Sequence, residues 1–348
     1  MSEKKPLKLG AAYHGNRMPS HAQNDFREMA NHNMNLVVHM LSHTDWVRHL
    51  HVMKDLVAMS EAEGLEVWMD NWGIGGPPGD VSYFLSYYPD SHQYYSNGDM
   101  DPIRSCLNSP DFRKFTKQWI DAVEFTGCKT IFWDEPHLPV KNVNGTLYHA
   151  CACPRCKKLF EERYGRPMPE IADDDVNEFR VSTIIDYFSE VTAYSASKGM
   201  KNTICVMLGA HYGINLANIE RLCSIDTLDN IGSDPYWLGT KEHPYKFVYE
   251  GAKKNLEISE KCGKDHNIWI QTYATPRGRE EEIVQATEAA YDAGARTIIA
   301  WGYYGSQSND YRAQNAPLTW KKTCDAMERV CAMERDVTLR ENRELFRK

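Results

Sequence analysis

The run Lys129-Thr130-Ile131-Phe132-Trp133-Asp134-Glu135-Pro136-His137 decides how the rest of the chain is read. Its apolar residues follow one another without polar alternation, which suits a strand buried on both faces. It then stops abruptly in two carboxylates, a proline and a histidine. Carboxylates at the end of a buried strand are costly unless they are solvated, paired or used.

Seven similar runs accompany it: Lys8–His14, Asn35–His39, Glu66–Trp72, Thr203–Leu208, Asn230–Tyr236, Asn267–Tyr273 and Thr297–Tyr304. Amphipathic helical patterns fall between them, at Trp46–Glu63, Asp111–Phe125, Arg180–Ser197 and Glu280–Ala293. Gly64, Gly127, Gly199, Gly263 and Gly294 punctuate helix ends. Eight strands alternating with helices predict an α/β fold, a closed (β/α)8 TIM barrel. The first strand is followed by neither a glycine-rich dinucleotide fingerprint nor a Walker loop, which counts against an open nucleotide-binding sheet. One barrel domain is expected over residues 1–335, followed by a charged tail at 336–348.

Two strand-to-strand intervals are swollen. The third βα loop, roughly 73–108, and the fourth, from Pro136 onward, therefore carry insertions. In this fold the βα loops build the active site at the C-terminal face. Hydrophobic residues make up 42% of the chain, enough for a large core, and the net charge of −8 argues against non-specific binding to nucleic acid or anionic membranes. No apolar run is long enough to span a bilayer, and no apolar signal segment follows Met1-Ser2-Glu3-Lys4-Lys5. A reducing cytoplasm is the expected setting. The ten cysteines are accordingly read as core thiols or metal ligands, with Cys128, Cys205, Cys223, Cys262, Cys324 and Cys331 in the core or on helix faces.

Cys151-Ala152-Cys153-Pro154-Arg155-Cys156 places three thiols within reach of one tetrahedral ion. Cys106, from the third loop, and His149, close by in the chain, compete as fourth ligand. A zinc site joining the two insertions would brace loops that have little core of their own. A site with four thiolates has no open coordination position and is structural.

The run Cys106-Leu107-Asn108-Ser109-Pro110, a strand ending in Glu135, and Cys151-x-Cys153-x-x-Cys156 with Phe160 and Tyr164-Gly165 together resemble the glycoside hydrolase family 42 β-galactosidases and the wider clan A barrels. The resemblance is specific over residues 100–165. It implies a structural zinc on Cys106, Cys151, Cys153 and Cys156, and an acid/base role for Glu135. Where the family has Asn before that Glu, this chain has Asp134. Where the family has a nucleophilic Glu at the end of strand seven, this chain ends in Gln271-Thr272-Tyr273.

Cleaving a glycosidic bond usually takes two carboxyl groups. Glu135 is the expected proton donor, because apolar Phe132 and Trp133 and the like charge of Asp134 raise a carboxyl pKa. Asp234, ending strand six, is the leading second group. Asp134 is the other candidate, since an adjacent Asp-Glu pair also occurs in substrate-assisted hexosaminidases. Tyr13, His14, His39, Asp70, Trp72, His137, His211, Tyr236, Trp237, Gln271, Tyr273, Trp301 and Tyr303 lie at or just beyond strand ends and are expected to bind sugar. The partner expected is thus a small carbohydrate, with no nucleic acid or membrane; a homo-oligomer is admissible. Competing readings are a metal-dependent sugar isomerase, epimerase or lyase, and a barrel that binds carbohydrate without catalysis.

Overall fold

The computed structural model describes residues 5–75, 82–134, 138–207, 213–215 and 217–345, with side chains as far as 338. Eight parallel strands form a closed barrel in chain order: β1 (Lys8–Tyr13), β2 (Leu36–Met40), β3 (Glu66–Asp70), β4 (Thr130–Trp133), β5 (Lys201–Val206), β6 (Asn230–Ser233), β7 (Asp265–Gln271) and β8 (Thr297–Trp301). β8 returns to β1 in the register Lys8↔Thr297 through Ala11↔Ala300, so the barrel has no free edge. Around it stand α1 (Pro19–Asn31), α2 (His43–Ala62), α3 (Pro110–Thr126), α4 (Pro154–Tyr164), α5 (Asp174–Ser197), α6 (Pro244–Lys261), α7 (Glu281–Asp292) and α8 (Ala316–Leu345). The eight strands are those expected from the sequence.

The strand runs are continuously apolar because both faces are covered. Ala12, Leu36, Val38, Trp68, Phe132, Cys205, Trp269 and Ile299 fill the barrel. Their chain neighbours, among them Ala11, Val37, Val67, Ile131, Trp133, Ile204, Ile298 and Ala300, face the helices. Trp133 is fully buried there, between Trp119 of α3 and Phe188 of α5, and its indole donates to Asn202 Oδ1 at 3.0 Å. Inside the barrel, Gly232 pairs with both Cys205 and Asn267. A Cβ on Gly232 would lie 2.0 Å from Asn267 Oδ1. The missing side chain leaves room for Asn267 to donate across strands to Thr203 Oγ1 (2.9 Å) and Asn230 Oδ1 (2.6 Å).

Helix α2 begins at His43, ahead of the Trp46 start expected from its apolar face. A reciprocal capping box explains the earlier start: Ser42 Oγ accepts from Asp45 N, and Asp45 Oδ2 accepts from Ser42 N, each at 3.2 Å. Helix α3 ends as its sequence suggests, with Gly127 at φ 90°. Helix α8 runs on through residue 335, so no break in the backbone separates the barrel from the charged tail. No helix among the described residues is long and apolar enough to cross a membrane.

Both insertions contain hairpins. The third loop holds a helical turn at Phe84–Tyr87 and the strands His92–Tyr94 and Met100–Ser105; the fourth holds the strands Val140–Val143 and Thr146–His149. They are stitched together by Ala152 N donating to Tyr94 O (2.7 Å) and Ser96 N donating to His149 O (2.8 Å).

The expectation that no cysteine forms a disulfide fails at one pair. Cys223 and Cys262 are joined, with Cα atoms 5.5 Å apart. The bond links the turn before β6 to the end of α6, a proximity that only the folded chain creates. With a sequence separation of 39, it should stabilise the fold by up to about 4 kcal/mol in the chain-entropy account. Urea unfolding with and without reductant measures this, and an unchanged midpoint would contradict it.

Two buried histidines make a second expectation. Burial pushes the His39 ring down to about 3 and the His266 ring down to about 4. In the unfolded chain both titrate near pH 6.5. Between about pH 6.5 and 4 the unfolded state therefore binds more protons, and stability falls as pH drops. The slope should reach ~1.4 kcal/mol per pH unit for each histidine. Denaturant titrations at pH 7 and pH 5 check this; equal stabilities would contradict it.

Candidate active site and cysteine centre

Strand alternation sorts the residues at the C-terminal mouth. Asp70 shares the inward parity of Trp68, Asp134 that of Phe132, and Asp234 that of Gly232. The three aspartates are 0%, 6% and 4% exposed. Carboxylates this buried belong to a built polar site rather than to a solvated rim. Local hydrogen bonds set their positions. Asp70 Oδ1 accepts from Trp72 N at 2.8 Å, and the Asp134 amide donates to Asn71 Oδ1 at 2.9 Å. Tyr236 N donates to the Asp234 carbonyl at 2.7 Å.

Aromatic rings line the same end. His14 stands edge-on between Trp72 and Trp301, with ring centroids 5.0 and 5.1 Å away. Trp301 contacts Trp269 at 5.2 Å, and Trp269 contacts Phe132 at 4.7 Å. Across the loops, Tyr236 and Tyr273 meet edge to face at 5.3 Å. Gln271 Oε1 accepts from Leu238 N at 3.2 Å, which tethers the loop after β6. Burial, aided by Arg17, pushes the His14 ring down to about 3, so it is a neutral imidazole. Neither of its buried nitrogens has a hydrogen-bond partner among the described residues. It offers one donor and one acceptor.

A hollow of about 290 Å³ opens beside His14 and Trp72, and it is bounded by Met40, Arg17 and Asp45. Arg17 and Asp45 were not singled out in the sequence. Their ion pair is bidentate, Nε to Oδ1 at 2.7 Å and Nη2 to Oδ2 at 3.0 Å. Burial pushes the Asp45 carboxyl up, but Arg17 and Ser42 outweigh it and hold the group below its ordinary range. The Ser42-x-x-Asp45 capping pattern was a usable signal for Asp45; nothing local marked Arg17.

Four of the residues expected to bind sugar lie off the barrel mouth itself. Tyr13 and His39 are one residue out of step with the inward set. The Tyr13 phenol donates to Asp25 Oδ2 (2.6 Å), and His39 Nε2 meets Ser60 Oγ (2.9 Å) behind the sheet. Ser60 gives its own proton to Leu56 O, so His39 Nε2 is the donor in that contact. Trp237 is fully buried with its indole donating to Glu282 Oε2 at 2.7 Å, and the Tyr303 phenol donates to Glu28 Oε2 at 2.7 Å. Both lie past the strand ends, where loop packing replaces strand parity. Asp70, Gln271 and Trp301 end their strands at the mouth, Asp134 and Asp234 follow one residue beyond theirs, and Trp72, Tyr236 and Trp301 pack against the inner layer. His14 contacts Trp72 and Trp301, and Tyr273 contacts Tyr236. Glu135, His137 and His211 lie outside the described residues.

The second centre is the cysteine cluster. One sulfur from each of Cys106, Cys151, Cys153 and Cys156 lies within 4.8 Å of the other three, and all four residues are buried. Cys106 Sγ is 3.5 Å from Cys156 Sγ and 3.7 Å from Cys153 Sγ. A tetrahedral ion with metal–sulfur bonds of about 2.3 Å would set its sulfurs about 3.8 Å apart. The cluster fits a metal ion on this ground. Hydrogen bonds from the neighbouring thiols pull Cys153 below the ordinary thiol range, while burial pushes Cys151 above it and hydrogen bonding with Cys106 pushes Cys156 above it. Cys153 also caps α4, accepting from Cys156 N, and Asn108 Nδ2 donates to Cys156 Sγ at 3.4 Å. His149, the competing ligand, instead directs Nε2 to Pro169 O at 3.0 Å.

No family model and no curated protein matches this chain. Similar solved structures do exist. The catalytic domain of a β-amylase from Paenibacillus polymyxa superposes at TM-score 0.67, over 91% of this chain and 98% of that one, with 10% identity. A catalytic mutant of a GH42 β-galactosidase from G. stearothermophilus also gives 0.67, over 93% of this chain and 56% of that one, with 11% identity. A D-allulose 3-epimerase from Methylomonas sp. gives 0.50, over 97% and 99%, with 11% identity. What this chain shares with all three is the (β/α)8 barrel.

Proposed function

We propose that this protein is a glycoside hydrolase acting on a small sugar or glycoside, with Glu135 as general acid and Asp234 or Asp134 as base or nucleophile. The observation that carries the reading is the convergence of Asp70, Asp134 and Asp234 with the rings of Trp72 and Trp301 at one end of the barrel. Indole faces stack on pyranose rings, and carboxylates read hydroxyls and move protons. Glu135 follows Asp134 directly in the chain. Two of the structural neighbours, the β-amylase and the β-galactosidase, carry glycosidase names on the same barrel.

The Glu135 carboxyl gives its proton to the glycosidic oxygen as the bond from that oxygen to the anomeric carbon breaks. The second carboxylate either takes a proton from the attacking water or itself attacks the anomeric carbon. Carboxyl separations of about 5–5.5 Å give retention, and about 6.5–9.5 Å inversion. Asp70 hydrogen-bonds a sugar hydroxyl. Glu135→Gln should lower turnover of a glycoside with a poor leaving group by about 10²–10⁴-fold. Undiminished turnover would end the assignment of Glu135. Asp234→Asn and Asp134→Asn, compared in the same assay, identify the second group by the larger loss.

Zinc is the ion this reading puts on Cys106, Cys151, Cys153 and Cys156, in a structural role. A four-thiolate set is closed to substrate and suits zinc. It would hold the β4 loop, which follows Glu135, against the third loop. The purified protein should carry one zinc per chain, and Cys151→Ser should lose the metal and lower the melting temperature. Metal-free protein with four reactive thiols would contradict this. The epimerase neighbour keeps a second reading testable: chelation that abolishes turnover without lowering the melting temperature would put a metal in the chemistry.

A further inference from the structure

A second cavity, of about 460 Å³, lies between the loops that follow β1 and β8. Gly15 and Ser308 line both it and the hollow beside His14, so the two spaces adjoin. Tyr303 and Tyr304 line one side of it, and Asn16, Gln307 and Asp25 line the rest. Aromatic rings beside amides and a carboxylate suit the two sides of a pyranose, its C–H face and its hydroxyl edge.

The wall is held firmly from behind. Asp25 accepts from the Tyr13 phenol (2.6 Å) and from Asn16 Nδ2 (3.1 Å), and it lies 3.1 Å from the Tyr303 hydroxyl. That hydroxyl gives its proton at the shorter distance, 2.7 Å, to Glu28. The other Glu28 oxygen accepts from the Trp320 indole at 2.9 Å. Burial and these carboxylates push both phenols up, so each stays a donor. The loop after β8 holds Tyr304 at φ 50° and Ser306 at φ 56°, around Gly305 at φ 60°. Non-glycine residues rarely adopt that conformation, and such residues cluster at ligand clamps. Asp25 is the one charged group lining the cavity among the described residues. The site therefore favours a neutral sugar over an anionic one.

We propose that this cavity is a second sugar subsite, and that the substrate is a neutral oligosaccharide crossing the rim between the β8 and β1 loops from the mouth. The proposal rests on the glycosidase reading and extends it from one sugar to a chain. The test uses the intact protein with 1,4-linked gluco-, manno- and galacto-oligosaccharides of two to four residues. kcat/KM should rise about tenfold or more with the added residue that reaches the cavity. Asn16→Ala combined with Gln307→Ala, both exposed side chains, should erase that rise and spare the shortest saccharide cleaved. Equal effects at every length, or none, would overturn the subsite while leaving the glycosidase reading intact. If nothing is hydrolysed, the glycosidase reading fails, and calorimetry with the same saccharides still tests the subsite. Binding that strengthens with length and weakens about tenfold in the double variant supports it; binding indifferent to either, or no binding, overturns it.

Discussion

The pairing of β8 with β1 is the constraint on which the rest of the structure depends. Once Lys8 to Ala11 are hydrogen-bonded to Thr297 to Ala300, each residue of all eight strands faces either the barrel axis or the helices. A slip of one residue would exchange the two sets. It would turn Trp68, Phe132 and Trp269 against the helices and bring Trp133 inward, away from Trp119 and Phe188. The apolar packing on both sides of the sheet thus holds the register, and the register delivers Asp70, Asp134 and Asp234 to one end.

That register also explains why the inner layer contains a glycine and an amide. Gly232 gives up its side chain so that Asn267 can reach Thr203 and Asn230. Above this layer the residues become polar and aromatic: a neutral histidine between two tryptophans, three buried aspartates and a tethered glutamine. The arrangement couples stability to site geometry, because the strands that carry the mouth residues carry the core directly beneath them.

The two insertions solve a different problem. Each contains a small hairpin, and each delivers cysteine to a shared cluster. Backbone hydrogen bonds between the hairpins bring Cys106 to the three clustered thiols across a long stretch of sequence. The loop that begins after Asp134 is therefore anchored at its far end by Cys151, Cys153 and Cys156, which are buried with Cys106 in the main core. Arg180 of α5 adds to this by donating to the carbonyls of Leu138 and Ala150, near the two ends of that loop.

By itself the sequence determined the eight strands, the barrel and the two swollen loops, because continuous apolar runs and helical periodicity are local patterns. It also marked the four cysteines, three of them by spacing alone. Strand-end position picked out His14, Asp70, Trp72, Asp134, Asp234, Tyr236, Gln271, Tyr273 and Trp301, which stand at the mouth, together with Tyr13, His39, Trp237 and Tyr303, which do not. Only the tertiary structure separated the two groups, since closure sets which residue of a run faces inward and loop packing sets where the residues after it go. The Cys223–Cys262 bond, the Arg17–Asp45 pair and the cavity between the β1 and β8 loops likewise arose only there. Each joins residues that are distant or unremarked in the chain, and no local pattern encodes their meeting.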